Sequence, residues 1–396
     1  MKKVLYIVNQ GIISSNANGG ASVYYSHLEL LFNAGFEIVL LAVEWSDRDV
    51  FNNNDYKEIE QFTSEIKSYK IASNTPKKGI NRLFNAVFKP EEFEYYFLND
   101  ENKKYLQNLI DETNTNFVFA DWRWAGIWAC FSDVKVPVIY GHHDWEYKLA
   151  KLRNKRNLLQ KFHTIQKKRV EYKLVKKVVG SVSGSLTEAE EIEKISGKEA
   201  LYLPTTYKAV DPELPINKHP NIVHLGGMGT TANRLGLERF LDVCWDTVLA
   251  ENPSIKLIVV GSLKKATPSL VEKLKGKNIV CKGFVEDLQK VLHPQDIHII
   301  PWEYNTGTRT RIPVVLNFEQ VLVATKASVM AFPELIDSKN AILCDDLQSM
   351  TSKINALLQE LNSLEKISKA GKETFLNHFT VDKNIEKFKI FIEKIL

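Results

Sequence analysis

The run Gly307-Thr308-Arg309-Thr310-Arg311 places a flexible turn, a hydroxyl and two guanidiniums just before Pro313. Arginine makes forked contacts with phosphate oxygens, and proline suits an early helical position, so this is an anion site at a helix start. Three other stretches could also carry chemistry. Gly19-Gly20 opens a helical stretch with Val23, Leu28, Leu30, Leu31 and Phe32 on its apolar positions. Glycines there let backbone approach a ligand, and the first N–H groups of a helix are free for an anion or a sugar hydroxyl. A tight turn with no ligand is the alternative, and the dinucleotide fingerprint Gly-x-Gly-x-x-Gly is absent.

"GHHDWEYKL", Gly141 to Leu149, follows an apolar strand with two histidines, an aspartate and a glutamate. His142 and His143 are adjacent and point apart, and no His-x-x-x-His partner exists, so a metal is not expected. Two readings are open: His143 or Asp144 as general acid/base or hydroxyl binder, or Asp144 as a helix cap with Glu146 in the first turn. In "HLGGMGTTANRLGLERFL", Gly226-Gly227 ends a strand and a helix begins near Asn233. Arg234 reaches a phosphate at that helix start or is a solvated helix charge.

The elements that must position these loops are legible as apolar runs. Val4–Val8, Glu37–Val43, Phe117–Ala120, Val136–Tyr140, Val178–Val182 and Leu201–Leu203 form one series of strands. Ile222–Leu225, Lys256–Val260, Asn278–Lys282, Ile297–Pro301, Val321–Thr325 and Ala341–Cys344 form a second. Continuous Val/Ile/Leu runs separated by helical stretches are what parallel strands covered on both faces look like. Two series imply an α/β chain with two doubly wound domains, residues 1–205 and 221–378, joined by the proline-rich linker 206–220. The terminal segment 379–396 puts Ile385, Phe388, Phe391, Ile392 and Ile395 on one helical face, which needs a surface to dock on. Two such sheets face a cleft at the C-terminal ends of their strands, where ligands of open α/β sheets bind.

At 396 residues the chain is too long for one ordinary core, and its 44% apolar and 25% charged content is that of a soluble globular protein. Cys130, Cys244, Cys281 and Cys344 have no metal spacing and are too few for a disulfide scaffold, which fits a reducing cytoplasm. "MKKVLYIVNQG" reads as a first buried strand and not a signal peptide, and no apolar run approaches the ~18–20 residues of a membrane span. Lys148–Lys177 carries many lysines and arginines against a single acid, Glu171, with apolar residues at near-helical intervals. It is either an interfacial helix drawn to an anionic membrane surface or an outer helix covering the first domain. Nucleic-acid binding is not expected, since no recognised module accompanies the charge.

Together the loops resemble the GT-B glycosyltransferases of family 4, the retaining "group 1" enzymes, over essentially the whole chain. The likeness rests on six segments in the family's order: "GGASVYYSHLELLFNAGFEIVLL", "GHHDWEYKL", "VSGSLTEAEEI", "NPSIKLIVVG", "GFVEDLQKVLHPQDIHIIPW" and "GTRTRI". In the third, Ser185-x-x-Glu188 also fits a capping box. The resemblance implies a metal-independent, retaining, hexosyltransferase-type enzyme with no cofactor. Its nucleotide-sugar donor would lie on Gly226, Gly227, Arg234, Gly307, Thr308, Arg309 and Arg311 of the second domain. A glycan or lipid-linked acceptor would lie on the first, at Gly19, Gly20, Asp144 and Glu146. His143 would sit near the transferred sugar, and Arg309 would stabilise charge on the leaving diphosphate. Surface polysaccharide or glycoconjugate synthesis in the cytoplasm, at the inner face of the membrane, is the implied setting. Asp47-Arg48-Asp49 matches the metal-binding Asp-x-Asp of another glycosyltransferase fold, and chance is the better explanation of a tripeptide.

The family pattern is broken at two acids. Its paired glutamates, one of which holds the nucleotide ribose, fall at Thr306 and Val314 here, and Gly227 replaces a usual arginine. One lost hydrogen bond to a charged group costs about 1.5–3 kcal/mol, an effect on affinity more than on chemistry. An active enzyme with a rebuilt donor site is therefore expected. A catalytically silent partner or glycan-binding subunit is the alternative. A nucleotide-sugar epimerase is disfavoured by "GHHDWEYKL".

Overall fold

A computed structural model describes residues 2–9, 11, 13–15, 19–45, 56–71, 80–152 and 157–396; Asp47-Arg48-Asp49 lies outside them. The first sheet contains β1 (Lys3–Asn9), β2 (Glu37–Glu44), β3 (Glu65–Lys70), β4 (Phe117–Asp121), β5 (Val138–His142), β6 (Gly180–Ser183) and β7 (Ala200–Tyr202). They are parallel, in the order β3-β2-β1-β4-β5-β6-β7. The second contains β8 (Ile222–Leu225), β9 (Leu257–Val260), β10 (Ile279–Gly283), β11 (Ile297–Ile300), β12 (Val321–Thr325) and β13 (Ile342–Cys344). Its order is β10-β9-β8-β11-β12-β13. In each sheet the order reverses beside the first strand, between β1 and β4 and between β8 and β11. Those reversals open the crevices in which doubly wound sheets bind ligands.

The centre strands are apolar on both faces because helices cover both: every residue of β4, β11 and β12 is buried. β3, which the apolar runs did not reveal, is one of the two edge strands. Its sequence EIKSYK exposes Glu65, Ser68 and Lys70, a charged composition that protects an open edge from pairing with another chain.

Helix α1 (Gly19–Asn33) follows β1, α5 (Arg123–Phe131) follows β4, α6 (Glu146–Lys151) and α7 (Leu158–Lys177) follow β5, and α8 (Leu186–Ser196) follows β6. Lys148–Lys177 is thus two helices. The apolar positions of α7 also divide: Val170 and Leu174 are buried, whereas Leu159, Phe162 and Ile165 are exposed. In the second domain α9 (Thr231–Phe240) follows β8 and α12 (Arg311–Asn317) follows β11.

The chain then crosses back. α15 (Leu361–His378) packs on α12, and Phe375 and Phe379 enter the second domain's core. α16 (Val381–Ile395) places Phe388, Phe391 and Ile392 in the core formed by β1, β2 and α1. Gly180 makes that docking close, because a Cβ there would stand 2.8 Å from Ile395 Cδ1 and 3.1 Å from Phe391 Cζ. Linker and crossover are joined where the Tyr207 N–H donates to the Phe379 carbonyl at 2.9 Å. Among the described residues no helix is long and apolar enough to cross a membrane. Phe388 is fully buried against Phe119, so Phe388→Ala is expected to cost about 3–5 kcal/mol in denaturant unfolding; a loss below ~1 kcal/mol would show that α16 is not held on the first sheet.

Candidate active site in the inter-domain cleft

The first-domain half of the cleft is organised by Asp121, the last residue of β4. Its buried carboxylate receives three groups: the Tyr6 hydroxyl (2.6 Å) and His27 Nδ1 (2.7 Å) on Oδ2, and His143 Nε2 (2.7 Å) on Oδ1. Burial alone would raise this carboxyl's pKa, but the charges of His27 and His143 outweigh it and hold the group far below the usual carboxylate range. Gly141, paired with Asp121 in the neighbouring strand, makes room, since a Cβ there would lie 2.4 Å from Asp121 Oδ1. His143 is therefore fixed through Nε2 and also packs on Tyr24, with ring centroids 5.3 Å apart. Sequence reading missed Asp121, Tyr6 and His27. An acid closing an otherwise apolar strand, "FVFAD", was the available signal for the first.

Asp144 does not cap a helix. Trp145 holds the N-cap position of α6 with no side-chain bond, and Glu171 of α7 takes over, accepting the N–H groups of Glu146 (2.8 Å) and Tyr147 (3.2 Å). Glu146 is drawn away by Arg123, 3.1 Å, and by Lys167. The Ser185-x-x-Glu188 box is half formed. Ser185 Oγ accepts the Glu188 N–H at 3.3 Å, but the Glu188 carboxylate turns instead to His142 Nε2 (3.1 Å) and to the Gly307 N–H (3.3 Å) across the cleft.

The second-domain half comes from 306–311 and 226–234. The loop 307–310 presses into the first domain: Cβ atoms at Gly19 and Gly184 would lie 2.5 Å from Thr310 Oγ1 and 2.8 Å from Thr308 Cγ2, and one at Gly307 would lie 3.3 Å from Asp144 Cβ. Further bonds hold the domains together: Ser26 Oγ to Thr206 Oγ1 (2.7 Å), Leu186 N–H to the Ala331 carbonyl (3.1 Å) and Tyr202 hydroxyl to Glu334 (3.0 Å). Gly226, at φ 143°, lies against Gly261, at φ 137°, where a Cβ would be 2.5 Å from the Gly226 carbonyl carbon. Arg234 bends back to the Met228 carbonyl at 3.1 Å and so braces the 226–230 loop.

Arg309 lies over the Trp302 ring and donates to the Thr306 carbonyl. Thr306, one of the two positions where an acid was missing, thus receives the guanidinium through its backbone, while Val314 packs into apolar surroundings. Arg311 donates to the Leu225 carbonyl and stands 3.4 Å from His224 Nε2. Among the described residues neither arginine makes an ion pair with a carboxylate. Burial lowers the pKa of Arg309 to about 10, against the raising effect of Glu188 and Asp144. Burial and then the Arg309 charge lower that of Arg311 to about 9. Two partly buried guanidiniums that no carboxylate contacts among the described residues favour an anion beside them. The Glu, Asp, His and Cys side chains of the described residues form no group of three or more able to hold a metal ion.

Beneath Arg311, Gln320 fixes the neighbouring imidazole. Its amide nitrogen donates to the His293 carbonyl (3.2 Å), so its oxygen accepts from His298 Nδ1 (2.9 Å). Burial, then the Arg311 charge, push His298 down to about 3. A folded-state pKa below the unfolded value near 6.5 means that the unfolded chain binds the extra proton on acidification. This contribution is complete above pH ~6.5 and is lost as pH falls toward 3, by up to about 1.4 kcal/mol per pH unit. His298→Gln is expected to flatten the stability–pH curve over that window in denaturant unfolding; an unchanged slope would remove His298 as its source.

Residues 219–360 match the family described as glycosyl transferases group 1. No curated protein matches the chain. Solved structures similar to it over its whole length include three. Sucrose-phosphate synthase from Thermosynechococcus elongatus is 13% identical, covering 100% of this chain and 99% of that one, with a TM-score of 0.70. HepE of Anabaena in complex with UDP and glucose is 13% identical, covering 100% of each chain, at 0.69. A TarM variant of S. aureus in complex with Fondaparinux, alpha-GlcNAc-glycerol and UDP is 12% identical, covering 98% and 99%, at 0.71. The chain therefore has the GT-B fold, and its second domain carries the match to the group 1 glycosyltransferases.

Proposed function

We propose that the chain is a retaining, metal-independent glycosyltransferase that moves a sugar from a nucleotide donor to a glycan or lipid-linked acceptor in surface polysaccharide or glycoconjugate synthesis. The observation that carries this reading is the pair Arg309 and Arg311, two guanidiniums without a carboxylate at a loop that faces the Asp121–His143 pair across the cleft. A donor diphosphate supplies the missing negative charge, helped by Gly226, Gly227, Gly307, Thr308 and the loop that Arg234 braces. His143, oriented by Asp121 through Nε2, stands at the transferred sugar, with Asp144 and the Gly19-Gly20 helix start on the acceptor side. Glu146, engaged by Arg123 and Lys167, shapes that side without pointing free into it. HepE in complex with UDP and glucose, and the TarM variant in complex with UDP and alpha-GlcNAc-glycerol, support a nucleotide-sugar donor and a glycan acceptor as ligands. Titration with UDP, GDP, dTDP, ADP and CMP by calorimetry is expected to show one that binds selectively, and Arg309→Ala to weaken it at least tenfold. Binding of none at millimolar concentration would favour the silent-partner reading, which the loss of both glutamates supports.

The exposed apolar residues favour a membrane-surface location. Helix α2 (Ile80–Phe88) exposes Phe84, Val87 and Phe88, and the first half of α7 exposes Leu158, at 84%, with Leu159, Phe162 and Ile165. The two helices are tied where Arg169 of α7 donates to the Ala86 and Val87 carbonyls at 3.1 and 2.6 Å. Exposed Lys161 and Arg169 lie on the same helix, so an anionic bilayer matches both the apolar and the basic side chains. Phosphatidylglycerol vesicles are expected to retain the protein in flotation and neutral vesicles not. Retention unaffected by Phe88→Ser with Leu158→Ser would place the contact elsewhere.

A further inference from the structure

Trp122, the residue after Asp121, has φ 81° and ψ 154°. That region belongs essentially to glycine, and a bulky side chain held there is strained, a cost that persists where the surroundings over-determine it. The conformation is pinned from both sides. The Trp122 N–H donates to the Gly141 carbonyl and its own carbonyl accepts the Gly126 N–H, each at 3.0 Å. The strain places the indole at the end of the sheet, touching the cores on both of its faces without being buried in either. It stacks on Trp124 with centroids 5.5 Å apart and planes 13° from parallel, and the Arg123 guanidinium lies 5.4 Å from its centre.

Behind this pair stands an aromatic wall with unused donors. Trp124 contacts Trp45, Tyr95 and Phe97 with centroids 5.6, 6.2 and 5.6 Å away. The ring nitrogens of Trp45 and Trp124, the Tyr95 hydroxyl and Arg123 Nε are all buried without a hydrogen-bond partner among the described residues. Buried polar atoms are almost always paired, so four orphans around one half-open aromatic pair call for a reason. A core would have used phenylalanine. A strained, part-exposed indole stacked on a second one is a surface for a ligand that is flat and apolar on one face and hydroxylated at its rim.

We propose that Trp122, backed by Trp124 and flanked by Arg123, is a saccharide-stacking platform. The C–H face of a pyranose lies on the indole, and its hydroxyls stay at the solvent-facing rim. One step along the chain from the carboxylate that orients His143, the platform positions the terminal sugar of the acceptor, an assignment that rests on the transferase reading; saccharide binding itself does not.

The test is saturation-transfer-difference NMR with maltose, cellobiose, lactose and N,N′-diacetylchitobiose on the full chain, each with and without the five nucleotides. At least one disaccharide is expected to receive saturation, strongest on one ring face. Trp122→Ala is expected to reduce it at least tenfold, and Trp122→Phe to keep most of it. Because the backbone angle suits glycine, Trp122→Gly is expected to melt no lower than Trp122→Ala, which separates lost stacking from a damaged fold. No saturation of any disaccharide in the wild type, or equal saturation in Trp122→Ala, overturns the platform. Disaccharide binding without binding of any nucleotide would leave the platform standing and defeat the transferase reading; the reverse pattern would defeat the platform alone.

Discussion

One buried carboxylate organises the first half of the cleft. Asp121 is surrounded by Tyr6 from β1, His27 from α1 and His143 from the loop after β5, so three chain segments far apart in sequence converge on two oxygens. A buried charge is tolerated when it is hydrogen-bonded, and these three groups supply that. The same demand explains Gly141 across the ladder, where a side chain would collide with the carboxylate. The position of His143 follows from the need to satisfy Asp121.

The opposite half is organised by the contrary imbalance. Among the described residues Arg309 and Arg311 have no carboxylate in ion-pair contact and rest on backbone carbonyls, with neutral His224 and His298 beneath. Carbonyl dipoles orient a guanidinium without neutralising it, which leaves the positive potential facing the cleft. Carboxylates at Thr306 and Val314 would have placed negative charge beside these arginines. Their absence leaves the site more cationic. The cleft joins this surface to an ordered imidazole, and the Gly307 N–H to Glu188 bond shows how closely the two meet.

The fold was largely legible in the sequence because parallel strands buried on both faces must be apolar throughout. β8 and β12 end where the apolar runs end, and the second domain's match to the group 1 family agrees with the segments that carried the resemblance. β3 was not legible, since an edge strand alternates polar and apolar residues and resembles a loop. Neither was the division of the basic segment into α6 and α7, because lysines are compatible with either arrangement.

For the site, sequence alone determined which residue types lie near the strand ends: the glycine pairs, the His143 loop and the two arginines. Those follow from local pattern, because strand-to-helix loops of a doubly wound sheet open toward one edge. Only the tertiary structure decided what each side chain does there. It gave His143 to Asp121, Glu188 to His142 and Gly307, the capping of α6 to Glu171, and Arg309 to the Thr306 carbonyl. Hydrogen-bond partners at such separations are chosen by which donors and acceptors packing leaves unsatisfied, and that is a property of the assembled cores, not of any segment.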